Sequence, residues 1–270
     1  MSRLNVMAII IAAAIIAMGS AHGSSLAATP ASTPETRAAR DLFGGNPKTD
    51  GAEIYSRSQI LVSGPLEIRS RPFYLVVLGT AQADCHACEA PLSAALYARE
   101  ESGAWTLYAK AVNFASIGSW GELPGEKNRR LDYVETHVAG GGFLILLNDG
   151  YGNQGFYTAG KDILAFEMPG RWRSLGAIPT HEDNSGTACD EGGDKRHRRN
   201  RSADSDDADT MRCYAWTGTV TPQFRPGEPY PALIVNAKGT RLDDDSGIVP
   251  ARRLVYRLKG DKYVEASDHQ

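Results

Sequence analysis

Apolar residues in this chain gather in short runs closed at both ends by turn formers. Phe73–Leu78 is one. Phe143–Leu147 is another, with Gly140-Gly141-Gly142 before it and Asn148-Asp149-Gly150 after it, and Leu233–Val235 is a third. Such runs mark buried strands, whereas an amphipathic helix repeats its apolar positions every three to four residues over a longer stretch. Three segments share a hairpin pattern. Leu96-Tyr97 leads through Ser102-Gly103 to Trp105, Leu164 and Phe166 lead through Pro169-Gly170 to Trp172, and Leu254 and Tyr256 lead through Gly260-Asp261 to Tyr263. In each, a Gly-containing turn is expected to set an aromatic pair across two antiparallel strands. Near the N-terminus, Thr33-Pro34-Glu35 reads as an N-cap, a first-turn proline and a first-turn acid, and Gly44 as a stop, which predicts a short peripheral helix over 34–43. The predicted fold is mainly β, with antiparallel hairpins forming a sandwich or a partial, propeller-like sheet arrangement and a short N-terminal helix.

One stretch pulls against that pattern. Pro91–Glu100 (PLSAALYARE) contains Ala94, Ala95, Leu96 and Ala98, which favour helix by propensity. Against this, Glu101-Ser102-Gly103 is a turn signal and Ala104–Lys110 (AWTLYAK) carries β-type residues beyond it. Tertiary pairing overrides local propensity, and we expect a strand over 93–99 paired with 104–110.

The first 28 residues read as a signal peptide. Arg3 precedes the 13-residue apolar run Val6–Met18, and small residues come after it, so that cleavage after Ala21, Ala27 or Ala28 is expected. The run is too short to span a bilayer. Residues 29–50 read as a linker with the short helix, and 51–270 as a single β domain. Within that domain the stretch between Cys189 and Cys213 holds Lys195-Arg196-His197-Arg198-Arg199-Asn200-Arg201 and then Asp204-Ser205-Asp206-Asp207-Ala208-Asp209. Having almost nothing to bury, the insertion at about 190–210 is expected to be disordered. The 270 residues carry a net charge of −3, which excludes a strongly basic nucleic-acid binder. Periplasmic or extracellular localisation is expected, with no membrane span after cleavage.

Export gives the four cysteines their meaning, because disulfides persist in oxidising compartments. We expect Cys85–Cys88 and Cys189–Cys213, the second closing the charged insertion. Haem attachment would require His after the second cysteine of Cys85-His86-Ala87-Cys88, and Glu89 stands there; no second close Cys/His pair completes a zinc site. No metal or cofactor is expected. Strand Tyr74–Leu78, then Cys85-x-x-Cys88, then a helix over Pro91–Glu100 would resemble the thioredoxin order, and Ile178-Pro179-Thr180 resembles the loop that faces the cysteines in that family. The resemblance implies a thiol–disulfide oxidoreductase with Cys85 and Cys88 as its catalytic pair. The sequence departs from it at Asp84, where that family has Trp, and in the distance of Pro179 from the cysteines.

Gly150-x-Gly152-x-x-Gly155 matches a dinucleotide fingerprint, but Phe156-Tyr157-Thr158 is a poor helix opening, and that chemistry needs a helix N-terminus at the phosphates. Gly118-Ser119-Trp120-Gly121 misses the serine-hydrolase elbow because Ile117 stands where its first Gly belongs. Asp243-Asp244-Asp245-Ser246-Gly247 and Glu182-Asp183-Asn184-Ser185-Gly186 read as polar turns. There remains a pair of loops, Ile117–Glu122 and Asp149–Gly155. Each sets an aromatic among glycines and amides or acids, with Trp120, Tyr151, Asn153 and Gln154 as the ligand-binding candidates. Stacking plus hydrogen bonding suits a cell-envelope glycan or peptide. The closing hairpin Leu254–Tyr263 with the Cys85–Pro91 segment resembles uncharacterised exported bacterial all-β proteins, a resemblance that implies no function. The expected function is a secreted, disulfide-clipped, non-catalytic binding or envelope-associated module, with the oxidoreductase as the alternative.

Overall fold

The short apolar runs are strands, and their neighbours in sequence are their neighbours in space. The structure, a computed structural model, describes residues 33–44, 57–82, 88–118, 129–187, 189, 212–243 and 247–266, with the backbone alone at 129, 130, 151, 153 and 243. A first meander comprises β1 (Ser58–Ile68), β2 (Arg71–Thr80), β3 (Ala90–Arg99) and β4 (Trp105–Ile117), in the order β4-β3-β2-β1, with β5 (Arg129–Arg130) parallel to β1 at the edge. The second sheet contains β6 (Tyr133–Glu135), β7 (Gly142–Asn153), β8 (Phe156–Glu167), β9 (Arg171–Asp183), β10 (Ala215–Gln223), β11 (Ala232–Asp243), β13 (Arg253–Lys259) and β14 (Lys262–Glu265). Its order is β14-β13-β11-β10-β9-β8-β7-β6, and β12 (Gly247–Pro250) pairs with β11 beside it. Apart from the two-residue β1–β5 pairing, every ladder among the described residues is antiparallel.

The decisive stretch is a strand. Ala90–Arg99 pairs with β4 from Arg99↔Trp105 to Ala90↔Ile117, and Ala90, Ala94, Ala95 and Leu96 are fully buried. Burial on both faces suits small alanines and overrides their helical preference. The thioredoxin order is therefore corrected: the element after Cys88 is β3, so no helix N-terminus is there to hold a thiolate.

Strand alternation shows why β7 and β8 read as unbroken apolar runs. Phe143, Ile145, Leu147, Leu164 and Phe166 face the first sheet and join a core with Leu75, Val77, Leu92, Leu96 and Ile117. Their odd-even partners Leu144, Leu146, Ile163 and Ala165 face the other way, into a second core with Trp216, Leu233, Val235 and Tyr256. A strand covered on both faces loses the polar half of its alternation. β14 lies near β9 as well as pairing with β13, so the second sheet curls over that second core.

The helix α1 (Pro34–Phe43) forms over the predicted residues, with Thr33 as N-cap and Gly44 as stop. It is a covering layer: Ala38 and Leu42, one turn apart, pack on Val76, Leu78, Ala95 and Tyr97 on the outer face of the first sheet. Polar groups fix it there. Asp41 accepts from the Tyr97 hydroxyl at 2.9 Å and pairs with Arg37 Nε at 2.8 Å, while Arg37 also donates to the Trp105 carbonyl at 3.0 Å. Burial, with the Asp41 carboxylate beside it, pushes the Tyr97 hydroxyl's pKa well above its usual value. Asp41→Ala orphans that hydroxyl and is expected to cost about 1–3 kcal/mol, read by urea denaturation. A cost near zero would show that the apolar face of α1 docks it alone.

Candidate functional site

At one end of the sandwich the apolar stripe between the sheets gives out. On β7 the inward positions run Phe143, Ile145, Leu147 and then Asp149; on β8 they run Phe166, Leu164, Asp162 and then Gly160. A cavity of ≈330 Å³ opens there, lined by Gly118 just past β4, Asp149 and Gly150 on β7, Gly160 on β8, and Ala177 and Pro179 on β9 among others. The volume falls within the range of small-molecule sites. Small residues line it for a local reason. A Cβ at Gly160 would stand 2.7 Å from the Ile178 carbonyl oxygen, and the β8–β9 register shifts at Ala159/Gly160 and again at Asp162/Leu164. Such bulges bend the strand pair beside the space.

Asp162 is the unusual group. It interrupts the core-facing stripe, and its Oδ2 is buried without a hydrogen-bond partner. Burial is the main reason its pKa is pushed up to about 7; Asp149 and then Glu89 add to the shift by repulsion. Glu89, immediately before β3, accepts a hydrogen bond from Ser116 on β4. The cation next to Asp162 in sequence, Lys161, faces the other side of β8, 3.2 Å from Asp132.

A raised carboxyl pKa has a definite consequence for stability. Between the unfolded value of 3.8 and the folded value near 7, the native state holds a proton that the unfolded chain has lost, so stability falls as pH rises across that window and then levels off. Asp162→Asn cannot ionise. It is expected to raise stability at pH 8 by about 1–3 kcal/mol, net of the amide's own burial cost, and to leave it nearly unchanged at pH 4. Thermal unfolding of both proteins from pH 4 to 8 measures the difference, and parallel curves would refute it.

The structure brings together parts of the two loops singled out in the sequence: Gly118 from the first and Asp149-Gly150 from the second share one cavity wall. Trp120 lies outside the described residues. Tyr151 and Asn153 lie on β7 opposite Thr158 and Phe156. Gln154, with a positive φ of 50°, makes the exposed β7–β8 turn with Gly155. Gly155 has a packing role, since a Cβ there would stand 2.2 Å from the Gly186 carbonyl oxygen, and β8 begins where a nucleotide site would need a helix. Asp162 is not among the residues that the sequence pattern singles out. The available signal is an acid two and four residues before Leu164 and Phe166, on the apolar face of one strand.

Cys189 is bonded to Cys213, with Cα atoms 5.0 Å apart, as the sequence predicts. Cys88 is also disulfide-bonded, and Cys85 lies outside the described residues. Beside the Cys189–Cys213 bridge, the expected polar turn at 182–186 proves to be an anchor. Asn184 is fully buried; its Nδ2 donates to the Arg212 carbonyl at 2.9 Å and its Oδ1 accepts from the Tyr214 N–H at 2.7 Å. Among the described residues no cluster of His, Cys, Asp and Glu is arranged to hold a metal ion, and no helix is long and apolar enough to cross a membrane.

No protein-family model, curated protein or solved structure matches the chain.

Proposed function

We propose that this chain is an exported, disulfide-clipped binding module that takes a small hydroxyl- or amide-bearing ligand, a fragment of cell-envelope glycan or peptide, at the open end of its sandwich. The observation that carries the proposal is the ≈330 Å³ cavity to which Gly118 and Asp149-Gly150 both contribute. Its lining is mainly of small residues, and Asp149 adds a charged acceptor. Few convergent polar groups on a concave, mostly apolar wall are what a small-ligand site requires. A non-catalytic role is favoured because the most perturbed acid, Asp162, has its free carboxyl oxygen buried. A redox role is disfavoured because a strand comes directly after Cys88 and Glu89.

Amide chemical-shift mapping tests the site, with N-acetylglucosamine oligomers and short peptides as probes. Shifts concentrated at Gly118, Gly150 and Gly160 are expected. Shifts scattered over the surface, or none at millimolar probe, would overturn the reading. Export is argued from the leader: Arg3, the apolar run Val6–Met18 and the small residues after it. Mass measurement of protein recovered from the periplasm or medium should find a new N-terminus after Ala21, Ala27 or Ala28, and an intact Met1 would refute it.

A further inference from the structure

The two ends of the sandwich are built from opposite materials. At one end the sheets are joined by rings: Phe166 lies 4.8 Å from Trp172 and 5.2 Å from Phe143, and Phe114 of β4 reaches across to Trp172 at 5.3 Å. At the other end the apolar contacts stop at Leu92, Ile117 and Leu147, and carboxyl groups take over. Asp162 and Asp149 come from the second sheet, and Glu89 stands immediately before β3 of the first. The cavity lies at this same end, between Gly118 just past β4 and strands β7–β9.

We propose that the carboxyl end of the sandwich is a proton-operated latch: with Asp162 protonated the sheet ends close on one another, and with Asp162 ionised they part and widen the cavity. The buried, unpartnered Oδ2 of Asp162 is what makes the position bistable, since a neutral carboxyl tolerates that burial and a carboxylate does not. Among the described residues its surroundings offer no compensation. The residue opposite on β7 is Leu147, with Asp149 beyond it; the residue opposite on β9 is Ala177; the first sheet contributes Glu89 and Ser116; and Lys161 faces away toward Asp132. Among the described residues the charges that act on Asp162 are both negative. Ionisation therefore sets three carboxylates around one sheet junction, and water entering between the sheets is the available relief. At the aromatic end the carboxylate beside Phe166, Glu167, is ion-paired with Arg173 and Arg171, and that end serves as the fixed side. A pKa pushed up to about 7 in the closed form places the transition in the range of ordinary external pH.

The latch concerns the protein without ligand, so its test is separate from the binding test above. Amide hydrogen exchange is measured from pH 5.5 to 8.5 and corrected for the intrinsic base-catalysed rate. In the wild-type chain, protection over 90–92, 115–118 and 158–162 is expected to fall about tenfold as pH rises toward 7 and then to level off, while 164–174 at the aromatic end stays constant. Asp162→Asn should remain protected throughout. Asp149→Asn and Glu89→Gln each remove one like charge and so lower the pKa of Asp162 in the closed form. In each, protection should level off at a lower pH, and its total loss should be smaller than in wild type. Equal profiles in wild type and Asp162→Asn overturn the latch. Should Asp162→Asn fail to fold, wild-type profiles in both Asp149→Asn and Glu89→Gln overturn it as well.

Discussion

Phe166→Ala is expected to lose about 3–5 kcal/mol of unfolding free energy, the usual cost of deleting a fully buried aromatic ring. Phe166 is 0% exposed and touches two other rings, with centroids 5.2 Å from Phe143 and 4.8 Å from Trp172. Those contacts belong to the fixed end of the sandwich, where neighbours cannot move in to fill the space. Gly142 shows how tightly that strand pair is set, because a Cβ there would stand 2.4 Å from the Phe166 carbonyl oxygen. A truncation leaves a cavity with little scope for collapse, so the cost should lie toward the upper part of the range. Urea denaturation with an unchanged slope measures it. A loss below about 1.5 kcal/mol would mean that the core rearranges, and the aromatic end could not then be the fixed side of the junction.

The same residue shows how much of the fold is legible in the sequence. The turn at Pro169-Gly170 predicts Phe166 opposite Trp172, and they are opposite. The same pattern predicts two companion pairs, and these are not opposite. Tyr97 faces Leu107 and Trp105 faces Arg99, while Tyr256 faces Glu265 and Tyr263 faces Leu258. Position relative to the turn decides this. Phe166 and Trp172 each stand one residue from the last pair, Glu167↔Arg171, whereas Tyr97 precedes Arg99 by two residues while Trp105 is itself in the last pair, and Tyr256 precedes Lys259 by three residues while Tyr263 follows Lys262 by one. Trp105 packs instead on Tyr74 of β2, 5.6 Å away. Hairpins can be read from local turn chemistry; register depends on turn geometry that composition does not specify.

The β1–β2 connection carries no visible signal at all. Its two turn residues, Arg69 and Ser70, adopt positive φ of 51° and 60°, a conformation usually supplied by Asn-Gly. A contact distant in sequence holds it, since Glu135 accepts the Arg69 N–H at 2.7 Å. The candidate site is legible to a similar depth. Glycine-rich loops mark Gly118 and Asp149-Gly150, yet Asp162 gains its meaning only when the sheets are stacked and a lone acid in an apolar stripe becomes a half-buried carboxyl, one oxygen fully buried, near two others.

Cys189→Ser with Cys213→Ser is expected to cost about 3.5 kcal/mol, the chain-entropy value for a loop of this length, whose ends are 24 residues apart. The loss should come mainly from the unfolded state, because the folded stem has a second fastening. Asn184 bridges from the end of β9 to the Arg212 carbonyl and the Tyr214 N–H, and Trp216 Nε1 donates to Glu182 at 3.0 Å just beyond. In the double-serine variant the amides of Tyr214 and Trp216 should therefore stay protected while global stability falls. The charged stretch 190–210, which lies outside the described residues, is expected to contribute through its length alone. Trimming it to a short turn with both cysteines kept should change stability by less than about 1 kcal/mol, since loop-closure entropy grows slowly with length. If the serine variant lost as little as the trimmed one, the Asn184 anchor would be carrying the stem and the bridge would be redundant. If the trimmed chain lost several kcal/mol, the charged stretch would have to pack against the β domain.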